Sequence, residues 1–406
     1  MTASKLRIGV AGLGRAFTLM QPALRQHSRV DVVAAADPRQ AAREHFAIDY
    51  NAPAYASVAE LCADEQVQAV YVATPHQLHA DHVTMAAARG KHVLVEKPMA
   101  LTMHECQMMN DVTGRAGVHL IIGHSHSFDT PYQRTRDLIA GGEFGDIRMI
   151  TALNFTDYLY RPRRPEELDT LKGGGVVFGQ APHQVDVVRL LGGGVVHSVR
   201  GATGRWDPGR RTEGAYSALL YFENGVVASL TYSGYGHFDS DQFVGGISEL
   251  GQPPGVREYG AARRRLRDLN APDGEAALKE TRAYGAADGL ERSGAGPRVH
   301  NHFGLVIVSC DHADLRPTPT GISIYGDERQ WVEELPAPLV PRTEVLDELC
   351  DAVLLGRPPL HTGAWGMATL EVCLAILRSA AEGRELTLEH QVGVPPGASA
   401  NSAGLA

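Results

Sequence analysis

The chain has 406 residues, 44% of them hydrophobic and 21% charged, with a formal net charge of −9. That length suits two domains better than one, and the composition is that of an ordinary globular protein. The acidic balance speaks against nucleic acid or an anionic membrane surface as partner. In chain order, Leu6–Ala11 reads as a buried strand, followed by Gly12-Leu13-Gly14 and a helical stretch over Arg15–Gln26. A strand, a glycine turn and a helix make a dinucleotide-binding fingerprint. Gly12 permits the tight turn and Gly14 lets backbone approach a pyrophosphate. The helix N-terminus, at Arg15 and Ala16, attracts that anion. The third fingerprint position, which should be small, is Phe17.

Val30–Ala36 is apolar and ends in Asp37. An acid there accepts hydrogen bonds from the adenosine ribose hydroxyls and repels a 2′-phosphate. The same Asp37-Pro38 pair also makes a good helix start. Arg39 beside it softens the preference for NAD over NADP. Helices are expected over 41–46, 58–62, 81–89 and 102–115, and strands over 69–73 and 119–123. The strand at 69–73 is ended by Thr74-Pro75-His76-Gln77-Leu78-His79.

His92–Val95 is a further buried strand, and Glu96-Lys97-Pro98 stands at its carboxyl end. Ligands of an open α/β sheet lie outside the carboxyl ends of its strands. Lys97 therefore points at whatever the sheet binds, Pro98 fixes the chain direction, and Glu96 is near enough to tune the ammonium group. A desolvated lysine suits proton transfer. The alternative is a surface Glu-Lys-Pro turn. Strands alternating with helices through this half predict a doubly wound parallel sheet.

After His124 the pattern changes. One helix is expected over 131–140. Strands follow over 147–154, 195–202, Ala215–Phe222 and 226–234, with Asn224-Gly225 as a hairpin signal. Strands at 306–309 and 321–325 and helices at 344–355 and 367–382 complete this half. It reads as an α+β domain with a large, mostly antiparallel sheet. The stretch 251–298 is rich in Gly, Ala, Pro and Arg and is expected to be an insertion, mobile or in part helical, with a lid, an oligomer arm and a disordered loop as the open alternatives. The domains expected are 1–126, a dinucleotide-binding Rossmann domain, and 127–395, a substrate and oligomerisation domain, with a flexible tail at 396–406. The five cysteines, Cys62, Cys106, Cys310, Cys350 and Cys373, form no CxxC pair. They suggest neither a disulfide framework nor a metal site, and they favour a reducing cytoplasm. No apolar signal segment opens the chain, and no apolar run approaches a membrane span.

Taken together, Gly12-Leu13-Gly14, Asp37, Ala73-Thr74-Pro75 with His79, and Glu96-Lys97-Pro98 resemble the Gfo/Idh/MocA oxidoreductase family. So do Gly141-Gly142-Glu143-Phe144-Gly145, Gly173-Gly174-Gly175 with His183 and Asp186, and His361-Thr362-Gly363. The resemblance implies a Rossmann domain, an α/β domain whose open sheet makes subunit contacts, and a nicotinamide cofactor, NAD more than NADP, between them. It implies that Lys97 lies near the reacting carbon and that His183 helps with the proton. It places Gly12, Leu13, Gly14, Arg15, Ala16, Asp37, Thr74, Pro75, His76, His79, Glu96 and Lys97 around the cofactor. The chain departs from the family at Gly179, where an acid is common four residues before the histidine, and at His76, where asparagine is common.

Within the family the chain resembles the phthalate 4,5-cis-dihydrodiol dehydrogenase group. That implies oxidation of a carboxylated cis-dihydrodiol to a catechol. Arg161, Arg163 and Arg164 would meet the substrate's carboxylates, with Gln180 and His183 beside them; a solvated loop is the alternative for the arginines. The rival readings are a sugar or polyol dehydrogenase, NAD-dependent but redox-neutral glycoside cleavage, and an NAD-binding regulator without turnover. A small molecule is the expected partner, with a homo-oligomer, dimer or tetramer, formed through the C-terminal sheet.

Overall fold

The computed structural model describes residues 5–255, 258–269, 274–286 and 298–395. In chain order the first elements are β1 (Leu6–Ala11), α1 (Arg15–Gln26), β2 (Val30–Ala36), α2 (Gln40–Tyr50), β3 (Ala54–Tyr55), α3 (Val58–Ala63), β4 (Ala69–Val72), α4 (His79–Ala87), β5 (His92–Val95), α5 (Met103–Ala116) and β6 (Leu120–Ile122). Then come α6 (Thr130–Ala140), β7 (Ile147–Phe155), α7 (Gly175–Gly179), α8 (Ala181–Gly192), β8 (Val196–Gly204), β9 (Ala215–Phe222), β10 (Val227–Ser233), α9 (Ala261–Arg267) and α10 (Gly274–Glu280). The chain ends with β11 (Leu305–Cys310), β12 (Ala313–Thr318), β13 (Gly321–Gly326), β14 (Gln330–Glu334), α11 (Thr343–Leu355), α12 (Gly363–Glu382) and β15 (Leu386–Thr387). The expected tail at 396–406 lies outside the described residues.

The chain divides into two units. The first holds 1–124, 277–293 and 340–367, more than the N-terminal run alone. Its six strands lie in the order β3-β2-β1-β4-β5-β6, all parallel. Strands β1, β4, β5 and β6 are buried along almost their whole length, which is why they read as apolar runs. Helices α3 and α5 each open with a capping box, Ser57 with Glu60 and Thr102 with Glu105. Each cap is worth about 1 kcal/mol.

The later segments join this unit for identifiable reasons. His27 and Arg29, just before β2, pair with Asp347 on α11 at 3.1 and 2.5 Å, and Arg29 also pairs with Asp351. Ile122 at the end of β6 donates its N–H to the His361 carbonyl at 2.9 Å. The His361 ring is fully buried and lies 2.8 Å from Glu348, so His361-Thr362-Gly363 acts as a fastening for β6.

The second unit holds 125–276, 294–339 and 368–406. Its nine-stranded sheet runs β14-β13-β12-β11-β7-β10-β9-β8-β15, antiparallel except for the β7–β10 pair. The hairpin at Asn224-Gly225 joins β9 to β10, with Gly225 at φ +86°. Helix α8, buried along nearly its whole length, packs against β7 and β10. The expected insertion carries the short helices α9 and α10 among its described residues. One sequence expectation needs correcting. Gly363–Glu382 is long and apolar enough to cross a membrane by length and composition, although 61% of its most apolar window is buried inside the fold.

Burial alone would raise the Asp347 carboxyl, but the hydrogen bonds and charges of His27 and Arg29 hold it below the usual range. A depressed carboxyl adds stability that is present above its unfolded pKa, about 3.9, and is lost as pH falls through the folded value. Arg29→Ala is expected to lower unfolding free energy by about 1.5 kcal/mol at pH 7, the low end for charged hydrogen bonds, because the partners are partly solvated. The loss should shrink near pH 3 in urea titrations. An equal loss at both pH values would mean that Arg29 acts through packing alone.

Candidate active site

Strand order in the first unit reverses between β1 and β4, and ligands of doubly wound sheets sit outside the carboxyl ends at that point. Those ends carry Gly12-Leu13-Gly14 after β1, Thr74-Pro75 after β4 and Glu96-Lys97 after β5. Gly12 has φ +93°, and a Cβ on it would lie 2.9 Å from the Ala73 carbonyl oxygen, so no other residue fits. Gly14 precedes α1, and nothing lies within 4 Å of where its Cβ would stand, so a phosphate can reach the backbone there. Arg15 and Ala16 form the first turn of α1.

Asp37 is nearly buried at the end of β2. Its carboxylate accepts the Leu13 N–H at 2.8 Å and the Arg39 N–H at 2.9 Å. The Arg39 guanidinium reaches both carboxylate oxygens at 3.0 Å and donates to the Leu13 carbonyl at 2.8 Å. Asp37 therefore braces the glycine turn as well as standing where a ribose would be read. The turn, the helix start and the acid together fit a dinucleotide.

The same Leu13 carbonyl accepts the Tyr284 N–H at 3.3 Å, and the Tyr284 ring meets Phe17 edge-on at 5.1 Å. Phe17 is fully buried among Phe46, Tyr50 and Tyr284. The unusual third fingerprint position thus belongs to an aromatic cluster.

His79 ties two of the strand ends together. Its Nε2 lies 3.0 Å from the Thr74 carbonyl oxygen, and its Nδ1 lies 3.1 Å from that of Pro98. Burial pushes its pKa down to about 4 against the pull of those carbonyls. The ring is therefore neutral at pH 7 and donates to one side at a time. The Thr74 hydroxyl meets His82 Nδ1 at 2.9 Å, and His76 lies edge-on to His79 with centroids 6.3 Å apart. Glu96 accepts the Tyr71 hydroxyl at 2.6 Å. Burial raises the Glu96 pKa, opposed by that bond and by the charges of Arg342 and Lys97. Lys97, half-buried, follows directly.

In the second unit the triple glycine seats a buried acid. A Cβ on Gly174 would lie 2.5 Å from the Glu167 carbonyl oxygen, and one on Gly175, at φ +89°, would lie 2.1 Å from Glu213 Oε1. The Glu213 carboxylate accepts the Val177 N–H at 3.1 Å and the Thr170 hydroxyl at 2.7 Å. Helix α7 stops at Gly179, Gln180 breaks the helix, and α8 carries His183 in its first turn. The half-buried His183 ring stands 4.9 Å from His126 and 5.2 Å from Phe303. His126 Nδ1 in turn lies 2.6 Å from the buried Asp129 carboxylate. Asp186 is buried and accepts the hydroxyls of Ser127 and Thr369, which makes it an anchor for α8.

The arginine segment is held by its neighbours and is not a loosely solvated charge run. Arg161 pairs with Asp157 at 2.8 Å and Glu249 at 3.7 Å. The Arg163 guanidinium lies 3.7 Å over the Tyr158 ring and donates to the Tyr158 carbonyl at 2.7 Å. The Arg163 N–H meets Glu275 of the insertion at 3.1 Å, which Arg210 also meets at 3.0 Å. The Arg164 N–H donates to Glu167 at 2.8 Å.

Comparison with known proteins decides the family. Residues 6–124 match the model of the oxidoreductase family with an NAD-binding Rossmann fold, and residues 132–244 match that of the GFO/IDH/MocA C-terminal domain. The chain belongs to the GFO/IDH/MocA oxidoreductase family. It is an NAD-binding oxidoreductase with a parallel Rossmann sheet and a second, mostly antiparallel one. It is similar to the 1-carboxy-3-chloro-3,4-dihydroxycyclohexa-1,5-diene dehydrogenase of Comamonas testosteroni, 48% identical over 92% of this chain and 94% of that protein. The trans-1,2-dihydrobenzene-1,2-diol dehydrogenase of Mus musculus is 30% identical over 55% of this chain and 66% of its own length. A crystal structure from Bordetella bronchiseptica RB50 superposes with a TM-score of 0.88 at 43% identity, covering 95% of this chain and all of that one.

In the first unit of this GFO/IDH/MocA chain the site residues expected from sequence lie at strand ends and helix starts; in the second, Gln180 and His183 lie at the start of α8 and Arg161, Arg163 and Arg164 in the segment between β7 and α7. His126, Asp129, Tyr158, Glu213 and Phe303 were not expected. The cluster His124-Ser125-His126-Ser127-Phe128-Asp129, directly after a buried strand, is the signal that could have found the first two. Asp37→Ala should raise the NADP/NAD ratio of kcat/KM by roughly tenfold or more, since it removes a negative charge and releases Arg39 toward a 2′-phosphate. An unchanged ratio would leave Asp37 as a brace of the glycine turn only.

Proposed function

We propose that this oxidoreductase oxidises a carboxylated cyclohexadiene cis-diol, of the phthalate 4,5-cis-dihydrodiol type, to the corresponding catechol. The observation that carries the reading is the arginine segment. Three guanidinium groups stand on a proline-flanked stretch stiffened by Asp157, Glu249, Glu275 and Tyr158. On a chain of net charge −9, such a local site is what an anionic substrate requires. Arginine forks match carboxylates bidentately, so at least one of Arg161, Arg163 and Arg164 receives a ring carboxylate. The similarity to a dehydrogenase of a carboxylated, dihydroxylated cyclohexadiene supports the same substrate class. Gly179 supports it further, because the acid/base pair of polyol dehydrogenases lacks its acid here.

NAD, held by the glycine turn and Asp37, would accept hydride from the carbinol carbon. Lys97 takes the hydroxyl proton in that step. The dienone so formed tautomerises to the catechol, and aromaticity makes the overall step favourable. His183 binds the reacting hydroxyl, with its ring fixed by His126 and Phe303. Gln180, at the break between α7 and α8, lines the same substrate side. The five free cysteines, four of them buried, fit a reducing cytoplasm. Half-exposed Met149, Leu219, Tyr221 and Val332 on the large sheet favour a homo-oligomer built through it.

NADH formation is to be followed with cis-dihydrodiols, with and without ring carboxylates, beside polyols and sugars. The carboxylated diols should give the highest kcat/KM; a preference for polyols would end the proposal. With the best substrate, Lys97→Met should lower kcat by at least ~10²-fold while NADH still binds, because positioned acid–base groups contribute that much or more. Near-normal kcat would remove Lys97 from the proton step.

A further inference from the structure

Gly179 carries no side chain, and Tyr158 fills the volume that one would take. Helix α7 ends at Gly179, one turn before His183. A Cβ built on Gly179 would lie 2.0 Å from the Tyr158 hydroxyl oxygen and 2.8 Å from the ring carbon that bears it. The phenol end of Tyr158 therefore occupies the volume that a side chain at 179 would fill. No residue but glycine is compatible with it.

Tyr158 is held from several directions, through its backbone and its ring. The Tyr158 N–H donates to the Thr156 hydroxyl at 3.1 Å, and its carbonyl accepts the Arg163 guanidinium at 2.7 Å. The same guanidinium lies 3.7 Å above the ring. The Tyr158 ring meets Tyr232 edge-on at 6.5 Å, Tyr232 stacks on Phe303 at 6.1 Å, and Phe303 stands 5.2 Å from His183. Tyr158 and His183 thus belong to one aromatic cluster, and Tyr158 is half-buried within it.

We infer that Tyr158 is a specificity-determining residue whose hydroxyl hydrogen-bonds the substrate hydroxyl adjacent to the one being oxidised. This rests on the reading of the substrate as a vicinal diol. In the proposed function His183 serves the reacting hydroxyl. A phenol both donates and accepts, so it suits a neutral neighbouring hydroxyl without adding a second negative charge opposite a carboxylated ring. The stacked Arg163 fixes the ring, and its segment is the one that meets the carboxylates. Tyr158 therefore sets the distance between the diol and the acid group of the substrate.

The test uses Tyr158→Phe, which keeps the ring and its stacking and removes only the hydroxyl. It is run on the fastest vicinal diol found for the parent enzyme and on the matching alcohol that lacks the second hydroxyl. The parent's own substrate preference reports separately on the proposed function, and the comparison holds for whichever diol is used, carboxylated or not. The variant should lose about tenfold or more in kcat/KM on the diol, because a site built for a hydroxyl discriminates strongly when the pairing is lost. It should lose less than twofold on the mono-alcohol, with KM for NAD unchanged. Equal losses on both alcohols, or no loss on either, would overturn the inference and leave Tyr158 as packing for α7. Should the variant fold poorly, by circular dichroism, the ratio of kcat/KM for the two alcohols still decides, because a loss of folded enzyme lowers both equally.

Discussion

The Asp37 carboxylate is the interaction on which the dinucleotide half of the molecule depends. It grips the Leu13 N–H in the middle of the glycine turn and the Arg39 guanidinium at its rim. The turn, with Gly12 at φ +93°, is also tied to β2 by the Gly12 N–H, which donates to the Ala36 carbonyl at 2.8 Å. Tied to the end of β2, it stands in one place relative to the first turn of α1. His79 does the same on the other side of the sheet reversal, joining the end of β4 to the residue after Lys97. Lys97 is thereby placed by the sheet, and its position does not rely on a flexible loop. Buried, well-paired groups of this kind keep a site within the narrow geometric limits that hydride and proton transfer demand.

The second unit solves a parallel problem with steric exclusion. Glycines at 174, 175 and 179 each leave room for another group: the backbone of Glu167, the Glu213 carboxylate and the Tyr158 hydroxyl. Helix α7 is only a few residues long and could not hold its orientation alone. Glu213 bonded to its first turn supplies what the helix lacks. The helix break at Gln180 then turns α8 so that His183 faces His126 and Phe303. His183 comes from α8, while the segment from Asp157 to Arg164 carries three arginines.

Much of the fold was legible because its signals are local. β1, α1, β2 and β5 run over the spans read from periodicity, since buried parallel strands and glycine turns announce themselves. Short edge strands such as β3 and β15 carry no such pattern. The assignment of α11 and 281–286 to the first unit was hidden, because it rests on long-range pairs such as Arg29 with Asp347 and Tyr284 with Leu13. In the candidate site, Lys97 and His183 stood out by motif. Tyr158 did not, since its meaning lies in a steric contact with a residue distant in sequence. The acid missing at 179 was visible as a departure, but what replaced it was not.

In the proposed reaction hydride leaves a carbinol carbon of a carboxylated diol for NAD as the ring becomes aromatic. It is tested most directly with that diol deuterated at both carbinol carbons. Mass spectrometry of cofactor and product should find one deuterium on the nicotinamide for each catechol formed. Catechol formed with the nicotinamide unlabelled, or turnover with no net NADH, would contradict it.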